Sequence, residues 1–295
     1  NYDLTQQTYN KENQHSVLFK TDYVHPFNDS YQIETGAKVS LRRIDNDYQV
    51  EQINDSAEWE VLPEYDNNFI FDENIYAAYL MGSAKWNLFT LQIGTRGEYS
   101  DVTTTLVKTN EVNPRQYFSL FPSVHTSYEL NQRNSLQLSY SRRISRPRFR
   151  SLIPFFGLTD NRNFYSGNPQ LKPVFTSSVE FGHLLTWKKG TLLSSVYYRH
   201  STGNVEYISI PDSSGLIISF PVNLSTEDAG GIEFNFSYSL FKWWRLVASI
   251  DLFYSKMNGS YEGAELYSEN ITARGKLTTK FTVWKKLDIQ SSFRY

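Results

Sequence analysis

In the segment Ile232, Phe234, Phe236, Tyr238 and Leu240 every second residue is apolar, with Glu233, Asn235, Ser237 and Ser239 between them. A repeat of two puts one set of side chains on each face of an extended strand, one greasy and one polar. The same pattern runs through Tyr31, Ile33, Thr35, Ala37, Val39 and Leu41, through Leu136, Leu138 and Tyr140, and more loosely through Leu246, Ala248, Ile250, Leu252 and Tyr254. A chain so patterned is confined to sheets with one apolar face. Its 21 Tyr and 20 Phe suit pleated surfaces better than helices. The expectation is an all-β fold of about twelve strands, near residues 16–25, 31–43, 69–81, 88–99, 118–130, 135–144, 178–186, 191–200, 232–240, 245–257, 271–282 and 288–295.

The connections fall into two alternating classes. Short ones lie near 26–30, 82–87, 131–134, 187–190, 241–244 and 285–287, and long ones near 44–68, 100–117, 145–177, 201–231 and 258–270. Connections above about 12 to 15 residues are uncommon in compact domains, yet almost every second one here is that long. Strict alternation places all tight turns at one end of an up-and-down antiparallel sheet, which is the organisation of a transmembrane β-barrel.

A soluble β-sandwich also alternates apolar and polar residues, so tryptophan carries the discrimination. Trp86, Trp187, Trp243, Trp244 and Trp284 sit in or beside the short turns, next to Lys85, Lys188, Lys189, Lys242, Lys285 and Lys286. Indole favours the boundary between hydrocarbon and headgroup, and a lysine stem can lie along apolar surface while its ammonium reaches anionic lipid. One such turn is equally an indole capping a soluble core. Recurrence at four of the six turns reads as a membrane-interface girdle of Trp86, Trp187, Trp243, Trp244 and Trp284 with Lys85, Lys188, Lys242 and Lys285. Ten residues at about 3.3 Å rise and 45° tilt span about 23 Å, close to the apolar band of about 25 Å that such barrels present. The lipid bilayer of the outer membrane is the expected environment.

Other classes are disfavoured. A net charge of -2 gives no basic surplus for a nucleic-acid partner. Without cysteine there is no disulfide frame, thiolate metal site or thiol nucleophile. The longest apolar run, 75–82, is less than half of the roughly 18 residues that a membrane helix needs. Asn1 opens the chain without a Met or an apolar leader, so any signal peptide is removed or lies upstream. His15, His25, His125, His183 and His200 show no metal-ligand spacing, and His200 and Ser201, being adjacent, point to opposite faces of a strand and form no nucleophile and base pair. Acidic clusters lack the Gly and distal Glu of a calcium loop, and no phosphate loop is present. No catalytic residue, cofactor or metal is expected, and the chain reads as a non-enzyme.

The polar faces carry Glu34, Lys38, Arg42, Arg96, Glu98, Glu180, Glu233, Asp251, Lys276 and Lys280, a mixed-sign lining for a hydrated interior. The long connections carry aromatics at Tyr48, Trp59, Tyr65, Phe155, Phe156, Phe164, Tyr165, Tyr207, Phe220, Tyr261 and Tyr267, which could stack on a cargo or pack a loop, with Trp59, Phe155, Phe156, Phe164, Tyr165 and Tyr261 as the candidate cargo contacts.

The run Ser119-Leu120-Phe121-Pro122-Ser123, then Tyr128-Glu129-Leu130-Asn131, Leu136 to Arg143, Arg146-Pro147, and Gly167-Asn168-Pro169-Gln170-Leu171-Lys172-Pro173 resembles the barrel domain of TonB-dependent receptors. The likeness is to the outer-membrane β-barrel family of Bacteroidota type, and Gly-Asn-Pro-x-Leu-Lys-Pro is its most specific element. The resemblance implies a wall of about 22 strands around a plug, with import of a bulky nutrient. Residues 1–295 would then be a single barrel segment without plug or signal peptide. The implied partners are the plug of the same parent chain, a TonB-type energy-transducing complex and a surface lipoprotein. Phe293-Arg294-Tyr295 ends where family members continue for several strands, although a terminal aromatic is itself an assembly cue. Two alternatives stand beside this reading: a complete twelve-stranded passive channel or outer-membrane hydrolase, and a surface β-repeat adhesion module. Pro169 and Pro173 cannot donate to a ladder, so residues 167–173 should form a rigid non-strand segment that returns a long loop to the next strand.

Overall fold

The computed structural model describes residues 5–54, 56–63, 66–154, 157–158, 163–211, 217–284 and 287–295. Strands β1 (Gln6–Pro26), β2 (Tyr31–Ile53), β3 (Trp59–Val61), β4 (Asn67–Trp86), β5 (Phe89–Leu106), β6 (Glu111–Asn131) and β7 (Asn134–Ser145) lead to a helical turn, α1 (Phe149–Leu152). Then come β8 (Gly157–Leu158), β9 (Asn163–Tyr165), β10 (Val174–Trp187), β11 (Gly190–Pro211), β12 (Ile217–Phe241), β13 (Trp244–Tyr261), β14 (Ala264–Val283) and β15 (Leu287–Arg294). Twelve of them form one antiparallel path in the order β1-β2-β4-β5-β6-β7-β10-β11-β12-β13-β14-β15. The short β3 lies on β2, and β9 runs parallel to β12 with β8 beside it. Among the described residues β1 and β15 do not pair with each other.

Twelve long strands occupy the expected places, but most of the expected long loops are strand. Residues 100–106 and 111–117 continue β5 and β6 in register around a turn at 107–110. β11 and β12 stay paired out to Pro211 and Ile217, and β13 meets β14 at Tyr261 and Ala264. The apolar alternation fades there, whereas β-branched runs such as Val102-Thr103-Thr104-Thr105 still favour the pleat. Among the described residues, the longest stretch between neighbouring strands of the path is the one that joins β7 to β10.

Directly opposed residues share a face. Gly36, Tyr79, Arg96 and Phe121 are successive partners across β2, β4, β5 and β6, and Glu233, Asp251 and Arg274 are successive partners across β12, β13 and β14. All ten expected lining residues fall on this polar face. Tyr79 Oη donates to Asp22 Oδ1 at 2.7 Å and Glu34 Oε1 at 2.9 Å, and Arg96 Nε donates to Glu98 Oε1 at 2.6 Å. The other face is apolar and bare: Phe118 is 64% exposed, Leu120 50%, Ile250 58% and Ile271 79%. Water would not tolerate an apolar surface continuous over so many strands. That face is covered by lipid.

One ladder stops early. β6 pairs with β5 along its whole length, but with β7 only from Ser123 and Ser141 toward the turn. Glu129 N donates to Leu88 O at 2.8 Å, so odd positions of β6 address β5 and even positions address β7. The next even position is Pro122, which has no N–H to give. Beyond it β7 pairs with β10 alone, and the wall is split.

Candidate functional site

The described residues between β7 and β10 fold back over the inner face. Phe149, Leu152 and Leu171 pack with Ile44 of β2, Phe69 and Phe71 of β4 and Leu106 of β5, forming the main buried apolar cluster among the described residues. The ring centroids of Phe69 and Phe71 each lie 5.8 Å from that of Phe149. Leu171 is 1% exposed, and burying a leucine contributes about 1.5 to 3 kcal/mol.

The string from Gly167 to Pro173 locks this excursion. Gly167 N donates to Ile153 O and Asn168 N to Ser151 O, both at 2.8 Å. A Cβ on Gly167 would lie 2.4 Å from Ile153 O and 2.8 Å from Ser151 O, so only glycine permits that approach. Asn168 accepts from Gln170 N through Oδ1 and donates from Nδ2 to Pro221 O at 3.0 Å. Arg115 of β6 donates to the carbonyls of Pro169 and Leu171. Asn223 of β12 accepts from Lys172 N at 2.7 Å and donates back to Lys172 O. Arg146 Nη2 reaches across to Glu98 Oε2 at 2.6 Å and Ser100 Oγ at 2.9 Å. The expected rigid return segment is thus tied to β6 and β12, and Arg146 ties the start of the excursion to β5.

The excursion and the upper wall enclose a polar and aromatic hollow. A cavity of about 280 Å³ is lined by Asn10, Glu12, Asn46, Tyr48, Arg150, Ile153 and Tyr165. Asn46 Nδ2 donates to Asn10 Oδ1 at 2.6 Å. Tyr165 Oη donates to Tyr207 Oη at 3.4 Å, with the rings 5.8 Å apart. Burial, followed by the Tyr207 hydroxyl, pushes the Tyr165 phenol up to about 12. Its lining offers amide, phenol and guanidinium donors beside the single carboxylate of Glu12, which suits a polar ligand with oxygen acceptors.

The candidate loop aromatics do not gather in one place. Tyr165 joins the hollow, Tyr261 sits edge-on to Phe220 with centroids 6.4 Å apart, and Trp59 lies on β3 opposite Ile53. Phe164 pairs by backbone with Leu158 and Ile218, while Phe155 and Phe156 lie outside the described residues. Tyr48 and Tyr207, two of the loop aromatics that the sequence singles out, also belong to this region, whereas Arg150 carries no such signal in the sequence.

The turn-end tryptophans cluster with other aromatics of the apolar face. Trp86 Nε1 donates to Tyr31 Oη at 2.5 Å and stacks on Phe89, Trp187 neighbours Phe236 and Tyr238, and Trp243 and Trp244 stack with Phe241 and Phe281. Trp284 is the outlier, 87% exposed at φ 50°. Lys85, Lys188 and Lys242 are exposed beside these turns, and Lys285 lies outside the described residues. A second row was missed. Val39, Tyr76, Tyr99 and Phe118 are successive partners on the apolar face, as are Tyr140, Val179, Tyr198, Gly230 and Tyr254. Its signal was in the spacing, since Trp86 and Tyr76, Phe89 and Tyr99, Tyr128 and Phe118, and Trp244 and Tyr254 are each ten positions apart.

The model of the outer membrane protein beta-barrel family matches residues 1–295. The chain belongs to that family. As a member of it, this is a β-barrel protein of the outer membrane, as the bare apolar face requires. No curated protein matches it by sequence. Among solved structures it is similar to the copper transporter OprC, at 14% identity and TM-score 0.65, over 97% of this chain and 44% of that one. It is also similar to the ferric citrate transporter FecA in the unliganded form (10%, TM-score 0.61, 96% of this chain and 42% of that one). The ferric yersiniabactin uptake receptor FyuA from Yersinia pestis gives 11% and TM-score 0.56, over 98% of this chain and 50% of that one. The chain spans half or less of the length of each, and at these identities the likeness is one of fold.

Proposed function

We infer that this chain is a segment of the barrel wall of a TonB-dependent receptor that imports a bulky, oxygen-rich nutrient. The observation that carries the reading is the hollow of Tyr48, Arg150 and Tyr165, held at the far end of the polar face from the tight turns by an excursion locked to three strands. The likeness in fold to a copper transporter, a ferric citrate transporter and a ferric yersiniabactin uptake receptor supports it. In this reading residues 1–295 are one barrel segment of a parent with about 22 strands. A plug of the same parent, a TonB-type complex and a surface lipoprotein complete the machine.

The two aromatic rows mark the edges of the apolar band, Trp86, Trp187, Trp243, Trp244 and Trp284 with Lys85, Lys188, Lys242 and Lys285 at the periplasmic edge. Ten positions at about 3.3 Å rise and 45° tilt separate the rows by about 23 Å, which matches the band of about 25 Å.

The test uses intact cells making the full-length protein. Dissipating the transmembrane energy source should abolish cargo uptake while surface binding persists, and Arg150→Ala with Tyr165→Ala should weaken that binding about tenfold or more, as loss of a charged and an aromatic contact does. Passive solute flux that survives de-energisation would favour the channel reading.

A further inference from the structure

The split between β6 and β7 is a site in its own right. We propose that it binds the phosphate of an anionic lipid of the outer leaflet, with an acyl chain lying on Phe118 and Leu120. The inference takes its depth from the reading of the aromatic rows as band edges.

The cleft has a volume of about 740 Å³, and its walls include Phe118 and Leu120 of β6, Arg142 and Phe175 across the split, and Arg115 and Lys172 at its inner side. Even positions of β6 address the side where β7 should be, so the backbone N–H groups of Gln116, Phe118 and Leu120 face the opening, and no strand pairs with them there. Pro114 and Pro122 bracket this short row of donors and leave too few for a partner strand to build a ladder. A compact oxyanion needs only a few.

Charge points the same way. Three of the lining residues are cations and none is acidic. Arg115 is committed to the carbonyls of Pro169 and Leu171, but its charge remains. Arg142 lies over the Phe175 ring, 5.1 Å from its centroid. Neither Arg142 nor Lys172 takes part in an ion pair among the described residues. Depth fits as well. Leu120 and Phe118 stand eight and ten positions from Tyr128 of the turn-end row, about 19 and 23 Å along the membrane normal at 3.3 Å rise and 45° tilt. The apolar pair therefore lies just inside the outer edge of the band, with Arg115, three positions beyond Phe118 on β6, past that edge and Arg142 lining the same cleft.

The experiment uses full-length protein in detergent and native mass spectrometry, with diphosphorylated lipid A, zwitterionic phosphatidylcholine and inorganic phosphate as probes. Lipid A should be retained in preference to the other two. Since each cation near a membrane surface contributes about fivefold, Arg142→Gln or Lys172→Gln should raise its Kd about fivefold and the double variant about 25-fold. The pair Lys188→Gln and Lys242→Gln, at the opposite end, should leave it unchanged. Unaltered affinity in the double variant, equal retention of phosphatidylcholine, or inorganic phosphate binding as tightly as lipid A would each overturn the lipid site. A bimane on Leu120→Cys should be quenched more by headgroup-level nitroxide lipids than by chain-end ones. Quenching strongest at the bilayer centre would instead overturn the band assignment and the placement that rests on it, whereas the expected depth with unaltered affinity would overturn the lipid site alone.

Discussion

Gly167→Ala should loosen the inner excursion and leave the wall intact. The added Cβ would stand 2.4 Å from Ile153 O, 2.7 Å from Ile153 N and 2.8 Å from Ser151 O, all of them backbone atoms that cannot rotate away. Ordinary contact would require the two segments to separate by about 1 Å, which weakens the bonds from Gly167 N to Ile153 O and from Asn168 N to Ser151 O. Overpacking of this kind costs about 1 to 3 kcal/mol, and each amide bond weakened adds about 0.5 to 1.5 kcal/mol. A central value of about 4 kcal/mol corresponds to nearly a thousandfold faster exchange of the amides of residues 167–168, because every 1.4 kcal/mol is a factor of ten. Hydrogen exchange read by mass spectrometry on peptides covering 163–173 and 232–240 checks this. Unchanged exchange in the first peptide, or equal acceleration in both, would refute the idea that the string is a local lock.

Phe234→Arg should destabilise folding into vesicles by about 2 to 4 kcal/mol while Asn235→Arg costs little, since only the first puts a charge into hydrocarbon; equilibrium denaturation in lipid measures both. Cysteine at Asn110 should react with a membrane-impermeant maleimide on intact cells and cysteine at Lys189 should not, because the turns lie at opposite ends of the wall. Tyr165 should titrate near 12, so the stability of its neutral form is complete below about pH 10 and is lost as the pH rises through 12. Carbon-13 tyrosine spectra of the protein and of Tyr165→Phe should differ by one late-titrating ring.

The wall was legible where hydrocarbon imposes alternation. Glu233 and Asn235 against Phe234 and Phe236 could be read directly, and all ten lining residues fall on one face. Beyond the second aromatic row the selective pressure of lipid is gone, so Val102 to Thr105 and Asn204 to Pro211 looked like loop although they remain paired. Pro122 was visible within a familiar run, but its consequence was not, because a missing donor matters only once the neighbouring strand and its parity are known. The hollow was the least legible part. Tyr48, Arg150 and Tyr165 are remote in sequence and meet only because the excursion folds inward, where Leu171 finds Ile44 and Phe71.

The continuation of β2, β5, β6, β11 and β12 past the outer aromatic row gives the mouth of this wall a stiff collar in place of long mobile loops. Fixing a free backbone residue costs about 1 to 2 kcal/mol of conformational entropy, and in a loop-built mouth much of that cost falls on the binding event itself. Here it has been met during folding by the strand ladders. Under the proposed function, a ligand descending to the hollow would meet a surface already ordered to receive it, so its contacts would appear in affinity with little deduction for ordering the host.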